Sequence, residues 1–197
     1  MIDMTASVES ESTRRRLTPQ QAEKISKMAD AAIEILSVEG YEKLSVRDVA
    51  KRAGVAPATA YTYFSSKSHL VAEVFWRRLA VGVPEPDPSA SPHDRVAEVL
   101  RGVAMVVAGD GQLGAAVTVA LLGGDPESEH LRWRIGGFIH DRLAAAVGDE
   151  LDNSAQVIDA LQMLYAGGLV TAGMGHLSYE ATSERLVAAA HLLMGQK

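Results

Sequence analysis

The chain has 197 residues, 47% of them hydrophobic and 22% charged, with a formal net charge of −6. Those proportions belong to a folded chain of one medium domain, or of a small domain joined to a larger one, and exclude a chain that is disordered throughout. The absence of cysteine removes disulfides, thiolate nucleophiles and cysteine-based metal sites, and fits a cytoplasmic location.

The first twelve residues are polar and acidic and hold no apolar signal core. The longest weakly polar run, Met163 to Gly175, is too short and too rich in glycine to span a bilayer. Neither secretion nor membrane insertion is expected. The acidic average hides a split: from Thr13 to Lys67 there are ten bases against six acids, whereas residues 68–197 hold nine bases against sixteen acids. A basic front on an acidic body points to a polyanionic partner at one end of the molecule.

In chain order, apolar spacings of three and four recur and alternating runs are scarce, which predicts an all-α chain. A first helix spans about 19–38, with Thr18 as N-cap, Pro19 in the first turn, a stripe of Ile25, Met28/Ala29, Ala32/Ile33 and Leu36, and Gly40 as a left-handed stop. Ser45 caps a second helix to about Ala53, which Gly54 breaks. Pro57 opens a third, short helix through Phe64. Ser65-Ser66 starts a fourth, from Lys67 to about Val81, with Leu70, Val71, Val74, Phe75 and Leu79 apolar. Four of the seven prolines then fall between Gly82 and Pro92, so no helix runs through that stretch. Five more helices are expected at about 93–108, 112–122, 126–147, 153–175 and 179–195.

The stretch from Leu44 to Phe75 carries the functional signal. Two short helices are joined by a turn containing Gly54, with Val46, Val49, Ala50, Ala60 and Phe64 facing inward, and small residues at Ala50, Ala53 and Ala60 allow a close crossing. This is the arrangement of a helix-turn-helix. The outward face of the second helix, made of Pro57, Ala58, Thr59, Tyr61, Thr62 and Tyr63, contains no acid, so it meets no electrostatic penalty in a major groove. The hydroxyls of Thr59, Tyr61 and Tyr63 suit phosphates, and Lys67 adds a charge at the next helix start.

These residues resemble the TetR family of bacterial repressors. The resemblance rests on Val46-Arg47-Asp48-Val49-Ala50, Ala53-Gly54-Val55, Thr59, Tyr61, Tyr63-Phe64, Lys67 and Leu70, and covers about residues 20–75. It implies a flexible N-terminal arm (1–17), a three-helix helix-turn-helix DNA-binding domain (18–66), a connecting helix (67–82) and a helical ligand-binding and dimerisation domain (83–197). It further implies a homodimeric regulator, most simply a repressor, released from a palindromic double-stranded DNA operator by a small hydrophobic effector, with no cofactor or metal. By position, Arg47, Thr59, Tyr61, Tyr63 and Lys67 would contact DNA, and Ala58 and Thr62 stand where the family reaches base edges. Ala56 departs from the pattern by replacing a capping Ser, and Pro57-Ala58 replaces a polar residue and Gly.

Arg14-Arg15-Arg16 is expected either to lie along phosphates or a minor groove, or to remain a solvated tail. Met105, Trp133, Phe138 and Met163 lie on apolar stripes that face either the core or a ligand. Arg101, His140 and His176 are polar groups within apolar helices, placed to meet an anionic or hydroxylated ligand. Phe75-Trp76 either lines a ligand cavity or packs at the hinge between domains. The stripe Val157, Leu161, Leu164, Gly168, Thr171/Ala172 and Gly175, partly echoed by Val187, Ala188, Ala190, His191 and Leu192, reads either as a two-fold interface of the last two helices or as an internal core. The histidines show no His-Glu-x-x-His spacing, and no Gly-x-Ser-x-Gly elbow occurs, so an enzyme is not expected. A helical adaptor that binds a protein through residues 57–64, a ligand-independent regulator and an activator are the alternative readings.

Overall fold

A computed structural model describes residues 18–149, 151 and 153–195. The Arg14–Arg16 arm lies outside the described residues. Among these the chain forms nine α-helices and one 3-10 turn, with no strand. The helices are α1 (Pro19–Glu39), α2 (Val46–Arg52), α3 (Pro57–Tyr63), α4 (Lys67–Gly82), α5 (Pro92–Met105), α6 (Gly111–Leu122), α7 (Pro126–Val147), α8 (Ser154–Gly173) and α9 (Tyr179–Met194).

Local chemistry sets the boundaries. Thr18 caps α1 by accepting from the Gln21 N–H, and the Gln21 side chain accepts from the Thr18 N–H at 2.8 Å, so two free helix-end donors are satisfied together. Gly40 ends the helix with φ 77°, donating its N–H to Leu36 O. The 3-10 turn Tyr41–Lys43 was not expected: three residues are too few to show a period. Ser45, Ser66, Ser91 and Ser178 cap α2, α4, α5 and α9. Helix α5 stops at Met105 rather than at about 108, because residues 106–109 turn towards Gly109, whose φ is 81°.

The expected faces of α1 to α4 are buried. Ile25, Met28, Leu36, Phe64 and Leu70 are all under 2% exposed and close one small core. Each such side chain contributes about 1.5–3 kcal/mol by leaving water. Helix α4 is buried without interruption from His69 to Trp76, because α1 packs on one part of it and α6 and α7 on others. The proline-rich residues 83–91 contain no helix and carry the chain to α5.

In the second half, α9 lies along α5 and α8, while α6 is held among α4, α7 and α8. Two glycines permit that crowding. A Cβ on Gly114 would run into the ring of Tyr179, and one on Gly173 would run into Thr118. The α8–α9 stripe is internal over much of its length. Val157 and Leu161 are buried, and Gly168 faces Leu186 and Thr182, so that side is internal. Met163, Met174 and Leu192 lie outside it and are exposed.

The turn between α2 and α3 yields a test of backbone strain in isolation. Gly54 has φ 67°, and a Cβ there would meet nothing within 4 Å. Gly54→Ala is therefore expected to cost about 1–2 kcal/mol from the left-handed conformation alone, read as a lower urea midpoint with unchanged slope.

Candidate nucleic-acid interface

Helix α3 begins at Pro57 because its fixed φ suits the first helical position and its missing N–H needs no partner there. Ala56 supplies no side-chain cap, so the departure noted in the sequence leaves the start of α3 to proline alone. The Val55 N–H donates to Ala50 O at 2.9 Å and locks the turn against α2. Ala60 and Phe64 point into the core, and Pro57, Ala58, Tyr61 and Thr62 point out. Thr59 and Tyr63 are half-buried at the edges. The Thr62 hydroxyl donates to Thr59 O at 2.6 Å, which leaves its oxygen lone pairs and its methyl group turned towards a partner.

The charges beside this face are held to different degrees. Arg47 on α2 is exposed and has no ion pair among the described residues. Lys67, at the first position of α4, donates to Tyr41 O at 3.3 Å and sits 4.2 Å from the centre of the Tyr41 ring. The Tyr41 hydroxyl is in turn within 2.9 Å of Ser68 Oγ. The 3-10 turn thus positions the ammonium group while two of its three donors stay available. Arg52 is partly neutralised by Glu34 at 3.4 Å. The eight residues assigned to DNA from the sequence, Arg47, Pro57, Ala58, Thr59, Tyr61, Thr62, Tyr63 and Lys67, all belong to α2, α3 or the start of α4.

The bundle holds a partly open cavity of about 230 Å³, lined mainly by apolar side chains of α4, α6, α7 and α8. Phe75 lies in its wall, whereas Trp76 packs edge-on against Phe138 at 5.4 Å and under the Arg134 guanidinium at 4.4 Å. The two readings of the Phe75-Trp76 pair each hold for one residue. Polar lining comes from Thr118, Arg132, Tyr165 and Tyr179. Burial raises the phenol pKa of Tyr165, and raises that of Tyr179 against the opposing effect of its hydrogen bond with Thr118.

None of the five candidate ligand residues lines this cavity. Arg101, Met105, Trp133, His140 and Met163 are exposed, Trp133 by 77% and Met163 by 79%, and His140 is within 3.2 Å of Gln162 instead. The core reading of Met105, Trp133 and Met163 is corrected as well. The physical reason is rotation about the helix axis. Ile135 and Ile139 mark the inward face of α7, and Arg132 and Gly136 share it, whereas Trp133 stands two residues from Ile135, about 200° around. Among the described residues no cluster of three metal-ligating side chains occurs, and no helix is long and apolar enough to cross a membrane.

Both ends of α6 touch the α1–α4 unit. Asp110, the N-cap of α6, lies 3.5 Å from Ser37 Oγ of α1, whose hydroxyl donates to Ile33 O at 2.9 Å, and 3.8 Å from Arg78 of α4. Asp125, just beyond the other end, accepts from the Ser66 hydroxyl, the N-cap of α4, while its other oxygen accepts from the Ser128 N–H at 3.1 Å.

A helix-turn-helix with an acid-free outer face, joined by one buried helix to a bundle with an apolar cavity, defines a helical DNA-binding transcriptional regulator. A family model described as "Bacterial regulatory proteins, tetR family" matches residues 29–74. The chain is 44% identical over 162 residues, 81% of its own length and 75% of the other's, to the uncharacterised HTH-type transcriptional regulator Rv0767c of Mycobacterium tuberculosis. It is 27% identical over 180 residues, 89% of its length and 84% of the other's, to the HTH-type transcriptional repressor KstR of Rhodococcus jostii. Among solved structures, a TetR transcriptional regulator from Rhodococcus sp. RHA1 superposes with a TM-score of 0.74 at 24% identity, covering 89% of this chain and 97% of that one. FadR of Bacillus subtilis in complex with stearoyl-CoA superposes with a TM-score of 0.62 at 21% identity, covering 86% and 97%. The chain belongs to the TetR family of bacterial transcriptional regulators, and it is a regulator rather than an enzyme.

The two faces of α3 have separable energetics. Phe64→Ala, which empties a fully buried site just after the helix, is expected to cost about 3–5 kcal/mol. Tyr61→Ala, at a side chain 53% exposed, is expected to change stability by less than about 0.5 kcal/mol. Chemical denaturation of the two variants in parallel checks the orientation of the helix.

Proposed function

We propose that this chain is a repressor that acts in the cytoplasm as a homodimer on a palindromic operator and leaves it when a small, mainly apolar molecule occupies the bundle cavity. The observation that carries this reading is the outer face of α3. It presents methyl groups and hydroxyls without an acid, flanked by the unpaired Arg47 and the oriented Lys67. Arg47, Thr59, Tyr61, Tyr63 and Lys67 take phosphates, and Ala58 and Thr62 meet base edges beside Pro57. With so few hydrogen-bonding groups, thymine methyls and DNA shape carry much of the specificity.

Dimerisation through α8 and α9 is supported by their outward apolar residues: Met163, Met174 and Leu192 are each at least 60% exposed. A two-fold axis there sets two copies of α3 about one DNA turn apart, which is what a palindromic site requires. Repression is also the role in the name of KstR, and the stearoyl-CoA bound to FadR is an example in this fold of a ligand with a long apolar chain. The coupling runs through α6, which forms part of the cavity wall and is tied to the DNA-reading unit at Asp110 and Asp125.

Footprinting on the DNA upstream of its own gene tests the reading: a symmetric protected site is expected, and the absence of any salt-dependent complex would refute it. Lys67→Ala should weaken binding on operator and random DNA alike and reduce the slope of log K against log salt by about one phosphate contact. A slope equal to that of the wild type would remove Lys67 from the interface. Met163→Glu, which sets like charges against each other across the two-fold axis, should shift sedimentation towards monomer and abolish operator binding with helicity unchanged.

A further inference from the structure

The cavity wall contains one feature that its apolar character does not explain. Arg132 is half-buried on the inward face of α7, and no carboxylate pairs with it among the described residues. One terminal nitrogen donates to Leu121 O at 3.0 Å and to Gly123 O at 2.7 Å, the final carbonyls around the end of α6. A guanidinium has five N–H donors, so three remain, with a full positive charge beside an apolar surface. A partly buried guanidinium with donors to spare is a ready partner for a carboxylate, which it meets with charge-assisted, bidentate hydrogen bonds.

The other polar groups of the wall behave differently. Thr118 donates to Gly114 O at 3.1 Å and is hydrogen-bonded to Tyr179, so those hydroxyls satisfy each other. Tyr165 has no hydrogen-bond partner among the described residues, and burial keeps its phenol protonated and able to donate. The contact between His140 and Gln162 sets the register of the antiparallel α7 and α8. It puts Tyr165 and Arg132 roughly 8 Å apart along the helix axes. A single small molecule spans that distance.

Size narrows the class further. A dry cavity of about 150 Å³ holds benzene. Scaled by volume, 230 Å³ holds about nine or ten non-hydrogen atoms, less than the roughly 300–1,000 Å³ of sites that take drug-sized ligands.

We infer that the cavity is built for a compact monocarboxylate with an aromatic or short aliphatic body, its carboxylate paired with Arg132 and Tyr165 donating to the ligand from the opposite wall. The inference deepens the reading of this cavity as the effector site. It also gives the ligand a point of action. Arg132 holds the carbonyls that end α6, two residues before the Asp125 that receives Ser66. A carboxylate that draws on the same guanidinium competes with that hold.

The test is calorimetric titration of the full chain with octanoate and phenylacetate, each against its alcohol, 1-octanol and 2-phenylethanol, and with stearate as an oversized acid. Both acids are expected to bind at least about tenfold more tightly than their alcohols, as a charge-assisted bidentate contact would give. Stearate should bind no more tightly than octanoate. Arg132→Gln should remove the preference for acid while leaving the affinities of the alcohols in place. If R132Q does not fold, Arg132→Lys, which keeps the charge and loses the planar fork, should reduce the preference only in part. Failure of both acids to bind, equal affinities of acid and alcohol, much tighter binding of stearate, or a preference unchanged in the variants would each overturn the inference. Operator release is read separately by mobility shift. Acid binding that depends on Arg132 but leaves the DNA complex intact supports the carboxylate site and removes the effector reading.

Discussion

Helix α4 is buried on nearly every side over its middle two turns, and the rest of the molecule is arranged around that burial. Leu70, Val71, Ala72, Val74, Phe75 and Leu79 are each at most 2% exposed, and the Glu73 carboxylate buried among them is paired with Arg77 at 3.1 Å, so one continuous core runs through this helix from α1 to the bundle. Burial on this scale makes α4 hard to detach from either partner, and a displacement of the helix is felt by both. Its first residue, Lys67, belongs to the DNA-facing end, and Phe75 forms part of the cavity wall. The two are eight residues apart, about 12 Å along the axis.

The groups at the DNA-facing end are positioned before any partner arrives. Lys67 would ordinarily lose considerable rotamer entropy on meeting a phosphate. Its hydrogen bond to Tyr41 O and its place over the Tyr41 ring have already removed part of that freedom. The 3-10 turn that carries Tyr41 therefore has a consequence beyond joining α1 to α2. The basic surplus of residues 13–67 on an otherwise acidic chain acts in the same direction, since the acidic bundle disfavours any docking of a polyanion except through that end.

The helices and their caps were largely legible because they depend on local chemistry. Serine N-caps, first-turn prolines and glycines with positive φ act within four residues of themselves, and the boundaries lie within one to three residues of the expected ones. The inward and outward faces of the helix-turn-helix were legible for a related reason: α2 and α3 are short and bury one face each. The cavity was not legible. Helix α8 is apolar towards the core at Val157 and Leu161, towards the cavity at Leu169 and Val170, and towards the outside at Met163 and Met174. A helix with three apolar surfaces has no polar side from which to set its rotation. On α7 a usable signal existed. Ile135 and Ile139 define a face that includes Arg132, but the size of Trp133 drew attention to the wrong side of the helix.

The links between cavity and helix-turn-helix unit are weak one by one, as the switch proposed above requires. Ser66 to Asp125 is a single hydrogen bond, Ser37 to Asp110 is a 3.5 Å polar contact, and the Arg78 to Asp110 pair at 3.8 Å is long. Contacts of this kind contribute on the order of 1 kcal/mol each. Together they come to a few kcal/mol, the size of a typical coupling between a ligand site and a second site, about 1–3 kcal/mol. Stronger ties at the ends of α6 would make the cavity and α3 a single rigid body, and no small ligand would have enough differential affinity to shift it. Weaker ties would let α6 adapt to a ligand without moving α4. Under the proposed effector reading, the buried length of α4 supplies the rigidity that carries a displacement to α3, and the two aspartates at the ends of α6 limit how much energy a bound molecule must supply to begin it.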